Sequence, residues 1–285
     1  MKKILVTGAS TGIGNAITLS LANAGHTVYA GVRNKVDYEK LQEIPNVIPI
    51  YLDVTKSDDI STAVSTITSK GTLDVLINNA GVTIPGATIE ISLEQIRKLL
   101  EVNLLGVISI TQSCFNLLRN SKGLIINISS IHGHAPIIPW SSPYDMSKFA
   151  LETFSETLRK ELKKFDIKIC VVNPGGYKTK MFYKGDNELK NLTSQSTYFK
   201  EEFQKFYENY DPDKIGGDPA IVGREVLEIV ESENPPEAYI SGTEGAKEWV
   251  YQTMIHRLVQ LVQSSTKDQD PRNLLVNYIE KELQK

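Results

Sequence analysis

Short β-branched runs alternate with amphipathic stretches of helical length from the first residues to about position 240, a rhythm that predicts a parallel sheet covered by helices on both faces. Strands are expected at Lys3–Thr7, Thr27–Gly31, Val47–Tyr51, Leu73–Ile77, Gly123–Ile128, Ile167–Val172 and Ala238–Ile240. Seven such runs fit one doubly wound, mostly parallel α/β sheet. Helices are expected near 13–24, 57–69, 92–118, 144–165 and 218–232, with a weaker one near 36–43. Asp218-Pro219 reads as a cap followed by proline in the first helical turn.

The rhythm breaks once. Residues 175–217 carry no strand pattern, and a stretch of that length between a strand and a helix reads as a functional lid. Beyond the last strand, Trp249, Val250, Met254, Leu258 and Leu261 keep helical spacing, and a polar stretch from Ser264 to Asn273 leads to Leu274, Leu275, Tyr278, Ile279 and Leu283. The expected organisation is therefore one catalytic domain over 1–263, with 175–217 as its substrate-binding lid. A polar linker and amphipathic helix follow over 264–285.

Composition narrows the function. Of 285 residues, 41% are hydrophobic and 23% charged, the mix of a globular protein with a sizeable core. A net charge of -3 gives no electrostatic reason to expect a nucleic-acid or membrane partner. The apolar run that opens the chain is only three residues long, and no segment approaches a membrane span, so a cytoplasmic protein is expected. Cys114 and Cys170 fall inside apolar runs and read as small buried hydrophobes.

Thr7-Gly8-Ala9-Ser10-Thr11-Gly12-Ile13-Gly14 closes the first strand and opens the first helix. Glycines there let backbone N–H groups approach a pyrophosphate at the positive end of the helix dipole. Gly8, Ser10, Thr11, Gly12, Ile13 and Gly14 are thus dinucleotide-binding candidates. The same stretch satisfies G-x-S-x-G, the nucleophile elbow of an α/β-hydrolase with Ser10 as nucleophile. That elbow normally follows several strands and needs an earlier loop for its oxyanion hole, and here one strand precedes it.

Tyr144 and Lys148, four apart, share a helix face. A lysine cation beside a phenol favours the phenolate, which suits a tyrosine that exchanges protons near neutral pH. Together with the glycine loop, Asn78-Asn79-Ala80-Gly81 and Asn127-Ile128-Ser129-Ser130, the run Tyr144-Asp145-Met146-Ser147-Lys148 resembles the short-chain dehydrogenase/reductase family over residues 3–180.

That resemblance implies a Rossmann fold and hydride exchange between a nicotinamide and a carbonyl or secondary alcohol. It implies Tyr144 as proton donor and acceptor, and Lys148 as the residue that holds the nicotinamide ribose and lowers the tyrosine pKa. Ser130 is implied as the donor to the substrate oxygen, in preference to Ser129, because Ser130-Ile131-His132-Gly133 follows the family's S-x-x-G pattern. Asn103 is implied as support for a water-linked proton path. Asp53 and Val54 are implied beside the adenine, Asn79, Ala80 and Gly81 along the dinucleotide, and Pro174, Gly175 and Thr179 near the nicotinamide carboxamide. Relatives are often dimers or tetramers built on the helices that carry Asn103 and Tyr144. One departure stands out: the interval from Ser130 to Tyr144 is one residue longer than usual, which bears on the shape of the pocket.

The cofactor expected is NADP. Val32 takes the place of an acid that would hold the ribose hydroxyls of NAD, and Arg33 beside it offers a guanidinium to a 2′-phosphate. A solvated Arg33 and an NAD-dependent enzyme form the alternative, since Thr11 stands where many NADP users have a second basic residue. The rings at Phe182, Tyr183, Tyr198, Phe199, Phe203, Phe206, Tyr207 and Tyr210 suit either a lid anchored to the core or a pocket for a bulky hydrophobic carbonyl, such as a steroid, retinoid or aryl ketone. His132, His134 and Trp140 are loop residues or pocket walls, and no metal set is expected. A nucleotide-binding sensor without turnover is a third reading; the presence of serine, tyrosine, lysine and asparagine together argues against it.

Overall fold

The computed structural model describes residues 1–134, 139–181, 190–192, 194–209, 216–265, 276 and 279–281. Seven strands form one sheet in the order β3-β2-β1-β4-β5-β6-β7, and every pairing is parallel. They are β1 (Lys3–Val6), β2 (Thr27–Val32), β3 (Val47–Tyr51), β4 (Val75–Asn78), β5 (Leu124–Ile128), β6 (Lys168–Pro174) and β7 (Ala238–Ser241). The expected strands are all present, with ends moved by one or two residues.

Period-two alternation sorts each strand's side chains between two cores. Ile4 and Val6 of β1 face one core, with Ile17 and Leu21 of α1 (Gly12–Asn23) and Val222 and Val226 of α8 (Ala220–Glu231). Leu5 faces the other, with Ile67 of α3 (Ser57–Ser69) and Ile110 and Cys114 of α5 (Gly106–Ser121). Both cysteines are buried and free, and burial pushes each thiol up to about 12, as expected of inert core residues.

Further helices of this unit include α2 (Lys35–Gln42), α4 (Leu93–Leu100), α6 (Ser142–Leu162) and α7 (Lys200–Glu208). The helix expected over 92–118 is two helices joined by a π-helical turn, Glu101–Leu105, with Asn103 at its centre. Such widened turns carry an inserted residue and recur at functional sites. Asp218 Oδ1 accepts from the Ala220 N–H at 2.9 Å, but the helix starts one residue later than expected: Pro219 is its N-cap rather than its first helical residue, and that cap makes no side-chain bond.

Two compact units divide the chain, Met1–Gly242 and Thr243–Lys285. The second unit contains α9 (Glu244–Ser265), whose Tyr251, Met254, Ile255 and Leu258 are exposed. Of the expected tail helix, Leu274, Leu275, Tyr278 and Leu283 lie outside the described residues, and Ile279 is exposed. Among the described residues no helix is long and apolar enough to cross a membrane.

Candidate active site

The strand order reverses between β1 and β4, and ligands of doubly wound folds bind in the crevice at the C-terminal ends of the strands beside that reversal. The sequence places the glycine loop at the end of β1 and Asn79 at the end of β4. Asn79 donates through Nδ2 to the carbonyls of Thr7 and Gly8 at 2.9 and 3.1 Å, while its own N–H and that of Ala80 reach the Thr7 hydroxyl, both at 3.0 Å. Its amide therefore shapes the loop, and its expected contact with a dinucleotide is left to Oδ1.

Close packing explains the glycines. A Cβ at Gly14 would stand 2.3 Å from both Asn79 Nδ2 and the Gly8 carbonyl oxygen, so a side chain there would push the helix off the strand end. Gly12 has φ +57°, and a Cβ on it would meet Thr179 at 3.1 Å, which brings the Pro174-to-Thr179 segment against the loop. The N-terminus of α1 is left open. Thr11, its N-cap, makes no side-chain capping bond, and the first turn contains no acidic residue. Orphan N–H groups at the positive end of a helix suit a pyrophosphate, so the cradle fits a dinucleotide.

Farther along the edge, Val32 is buried and Arg33 is exposed. Asp53 accepts from the N–H and hydroxyl of Thr55 at 3.0 and 2.7 Å. Burial alone would raise this carboxyl, but the Thr55 hydrogen bonds and the charges of Arg33 and Lys56 outweigh it and hold it below the usual carboxylate range. Arg33 thus stands close enough to Asp53 for the charges to interact. Val54 is buried in the core and lies against Gly106.

The expected catalytic residues come together at the end of β5 and on α6. Ser130 hydrogen-bonds Tyr144, and its Oγ also accepts the His132 N–H at 3.2 Å. Ser129 Oγ lies against Gly133 and finds no partner among the described residues. Successive residues at a strand end face opposite ways, so only Ser130 serves the tyrosine. Lys148 Nζ donates to the Ile128 carbonyl at 3.0 Å and stands 5.6 Å from the centre of the Tyr144 ring.

The electrostatics reverse one expectation. Burial pushes the Tyr144 phenol up to about 12, with Asp145's charge adding to the rise and the Ser130 hydrogen bond opposing it. Burial also brings Lys148 down to about 8, against the pull of Glu152. The lysine was expected to lower the tyrosine's pKa. In the protein alone desolvation wins, because the ammonium is bound to a backbone carbonyl and set back from the phenol.

Asn103 is buried and fully engaged. Its Oδ1 accepts from the Val82 N–H at 2.8 Å, and its Nδ2 donates to the Val82 carbonyl at 2.9 Å and to Ser147 Oγ at 3.0 Å. Ser147 in turn donates to the Tyr144 carbonyl at 2.7 Å, so the π-helical turn, the loop after β4 and α6 are bonded at one point. This arrangement gives the amide a structural task of its own beside the expected support of a proton path.

Sequence reasoning missed two features. Glu90, in the loop before α4, accepts from Ser196 Oγ and from the N–H groups of Thr197 and Tyr198, each at 2.8 Å, which ties the lid down just ahead of α7. His132 and Asp145 form a pair beside Tyr144, with Nδ1 and Oδ1 2.5 Å apart. No local pattern around Glu90 marks it, because its partners lie more than a hundred residues away. For the lid rings the anchoring alternative prevails at Phe199, Phe203 and Phe206, which pack with Trp140, Leu192 and Ala87. Tyr198 is exposed, and Phe182, Tyr183, Tyr210 and the Tyr207 side chain lie outside the described residues.

A doubly wound parallel sheet, an open glycine-lined helix N-terminus and a Ser-Tyr-Lys group at the same sheet edge define a dinucleotide-dependent oxidoreductase of the Rossmann type. The short chain dehydrogenase family model matches residues 2–189, and the chain belongs to that family. It is 32% identical over 275 residues to the 3-ketodihydrosphingosine reductase of Bacteroides thetaiotaomicron, covering 95% of this chain and 94% of the relative. A short-chain dehydrogenase from Streptomyces avermitilis superposes with a TM-score of 0.78 at 26% identity, over 92% of this chain and 95% of that one. A single-residue variant of an actinorhodin polyketide ketoreductase with NADPH superposes with a TM-score of 0.73 at 25% identity, over 86% and 97%. The protein is thus an NAD(P)-dependent dehydrogenase or reductase, and the hydrolase reading of Ser10 and the sensor reading both fall.

Proposed function

We propose that this enzyme uses NADP(H) to interconvert a carbonyl and a secondary alcohol on a bulky hydrophobic substrate, with Tyr144 as general acid and base. The observation that carries the reading is the Ser130–Tyr144 hydrogen bond with Lys148 behind it, at the sheet edge that also holds the glycine loop. When bound there, the dinucleotide supplies or takes up a hydride. Ser130 and Tyr144 orient the substrate oxygen, Tyr144 gives it a proton in reduction and removes one in oxidation, and Lys148 steadies the ionised phenol and binds the ribose.

Arg33, exposed beside the aliphatic Val32, supports NADP, as does the NADPH in the ketoreductase structure. Its proximity to Asp53 favours the alternative in which Arg33 serves the protein's own carboxylate and NAD is used. The reductase relative's name suggests a ketone on a long alkyl chain. We also propose a cytoplasmic homo-oligomer, dimer or tetramer, that meets through α5, with the π-helical turn that leads into it, and α6, where Leu105 of the turn and Met146 of α6 are exposed. Solution mass tests this: a monomer at micromolar concentration rejects it.

Turnover is measured with NADPH and with NADH against 1-indanone, a long-chain 3-ketone, aldose sugars and 2-keto acids. Best efficiency on the indanone or the long-chain ketone, with NADPH, is expected. A preference for the polar compounds overturns the substrate class, and a preference for NADH overturns the cofactor.

A further inference from the structure

Asp145 follows the catalytic tyrosine directly and is buried, yet both of its oxygens are satisfied. Oδ2 accepts from the Ser141 hydroxyl at 2.9 Å, and Oδ1 lies 2.5 Å from His132 Nδ1. The carboxylate takes the Nδ1–H of the imidazole, which fixes the ring's orientation. The side chain of His132 is only 19% exposed, and its ring meets that of Tyr144 edge-on, with centroids 5.3 Å apart and planes at 76°. Its own N–H donates to Ser130 Oγ. One residue therefore touches both hydroxyl-bearing members of the catalytic group and is held by a carboxylate next to one of them.

We propose that His132 and Asp145 are a positioning pair that holds Tyr144 against Ser130 and sets the acidity of the phenol, His132 by masking the negative charge that Asp145 brings to the tyrosine. This rests on Tyr144 being the general acid and base. Among the described residues the charged or titratable groups around the phenol are few. Asp145 and Lys148 come from α6, His132 from the loop after β5, and Glu152 stands beyond Lys148, where it interacts with His134 at 3.9 Å. Of these, Asp145 is the anion that acts on Tyr144. A carboxylate at that distance disfavours the phenolate, and a hydrogen-bond donor on the carboxylate draws off part of that effect whether or not the imidazole carries a second proton.

Opposite displacements follow from the two halves of the pair. Oxidation needs the phenolate, so kcat/KM rises with pH along a limb set by Tyr144. Asp145→Asn removes the charge and moves the limb to lower pH by about one unit. His132→Phe keeps a ring beside Tyr144 but leaves Asp145 unmasked, and moves the limb to higher pH. His132→Gln, which can still donate to Asp145, falls between His132→Phe and the unaltered enzyme, and the double variant Asp145→Asn/His132→Phe behaves as Asp145→Asn.

The probe is 1-indanol oxidation with NADP+, with circular dichroism and NADPH titration to show that each variant folds. Limbs that move together, or lower kcat with no movement, overturn the proposal and leave a purely structural pair. If His132→Phe does not fold, the direction of the Asp145→Asn limb decides alone. Tyr144→Phe is measured alongside: substantial turnover by that variant, or none by the unaltered enzyme on any substrate tried, overturns the catalytic reading itself.

Discussion

Trp140 and Phe203 meet with ring centroids 4.5 Å apart and planes tilted by 45°, although one lies in the loop before α6 and the other on the lid. Phe203 is 1% exposed and is, with Ala87, a buried centre of a small core, separate from the two on the faces of the sheet. Phe206 closes the group edge-on against Trp140 at 5.4 Å. The lid is thus fastened by its own apolar face and by Glu90.

Phe203→Ala should loosen the lid, since truncating a buried phenylalanine removes about 3 kcal/mol or more of packing. Amide exchange over residues 196–208 should speed up roughly 100-fold, and KM should rise more than kcat falls. Unchanged exchange there would show that the aromatic cluster does not hold the segment.

Tyr144→Phe removes the exchangeable proton and almost no surface. Turnover should drop by about 100-fold or more while NADPH affinity stays within roughly threefold. Single-turnover kinetics and calorimetric titration measure the two effects separately.

Arg33→Ala tests the cofactor. Losing a charge-assisted contact of about 1.5 to 3 kcal/mol should raise the NADPH dissociation constant roughly 10- to 150-fold and leave NADH nearly unaffected. Equal losses for the two would assign Arg33 to Asp53 instead.

Lys148 couples stability to pH. Its pKa falls from 10.5 to about 8 on folding, so between those values the unfolded chain binds the extra proton and stability rises with pH. Below about 8 both states carry the charge, and the full cost of burying it remains. The unaltered protein should therefore gain up to about 3 kcal/mol relative to Lys148→Met between pH 7.5 and 10.5, in the absence of cofactor. Urea unfolding at a series of pH values measures the difference; a constant gap would mean the ammonium is solvated.

The order of strands and helices was legible in the chain because both signals are local. Period-two alternation decides which face of β1 receives Ile4 and which Leu5, and the helical face of α6 places Tyr144 and Lys148 together whatever surrounds them. The glycines were legible for the same reason, since a turn between a strand and a helix announces its own backbone needs. What the sequence could not decide depends on partners brought from far away. Desolvation by several elements at once turned the tyrosine's acidity the other way from the local pair. Asn103 is spent on Val82, Glu90 meets a lid more than a hundred residues distant, and His132 reaches Asp145 across the loop before α6. Such contacts carry no period, and only the closed fold brings the two ends into hydrogen-bond range.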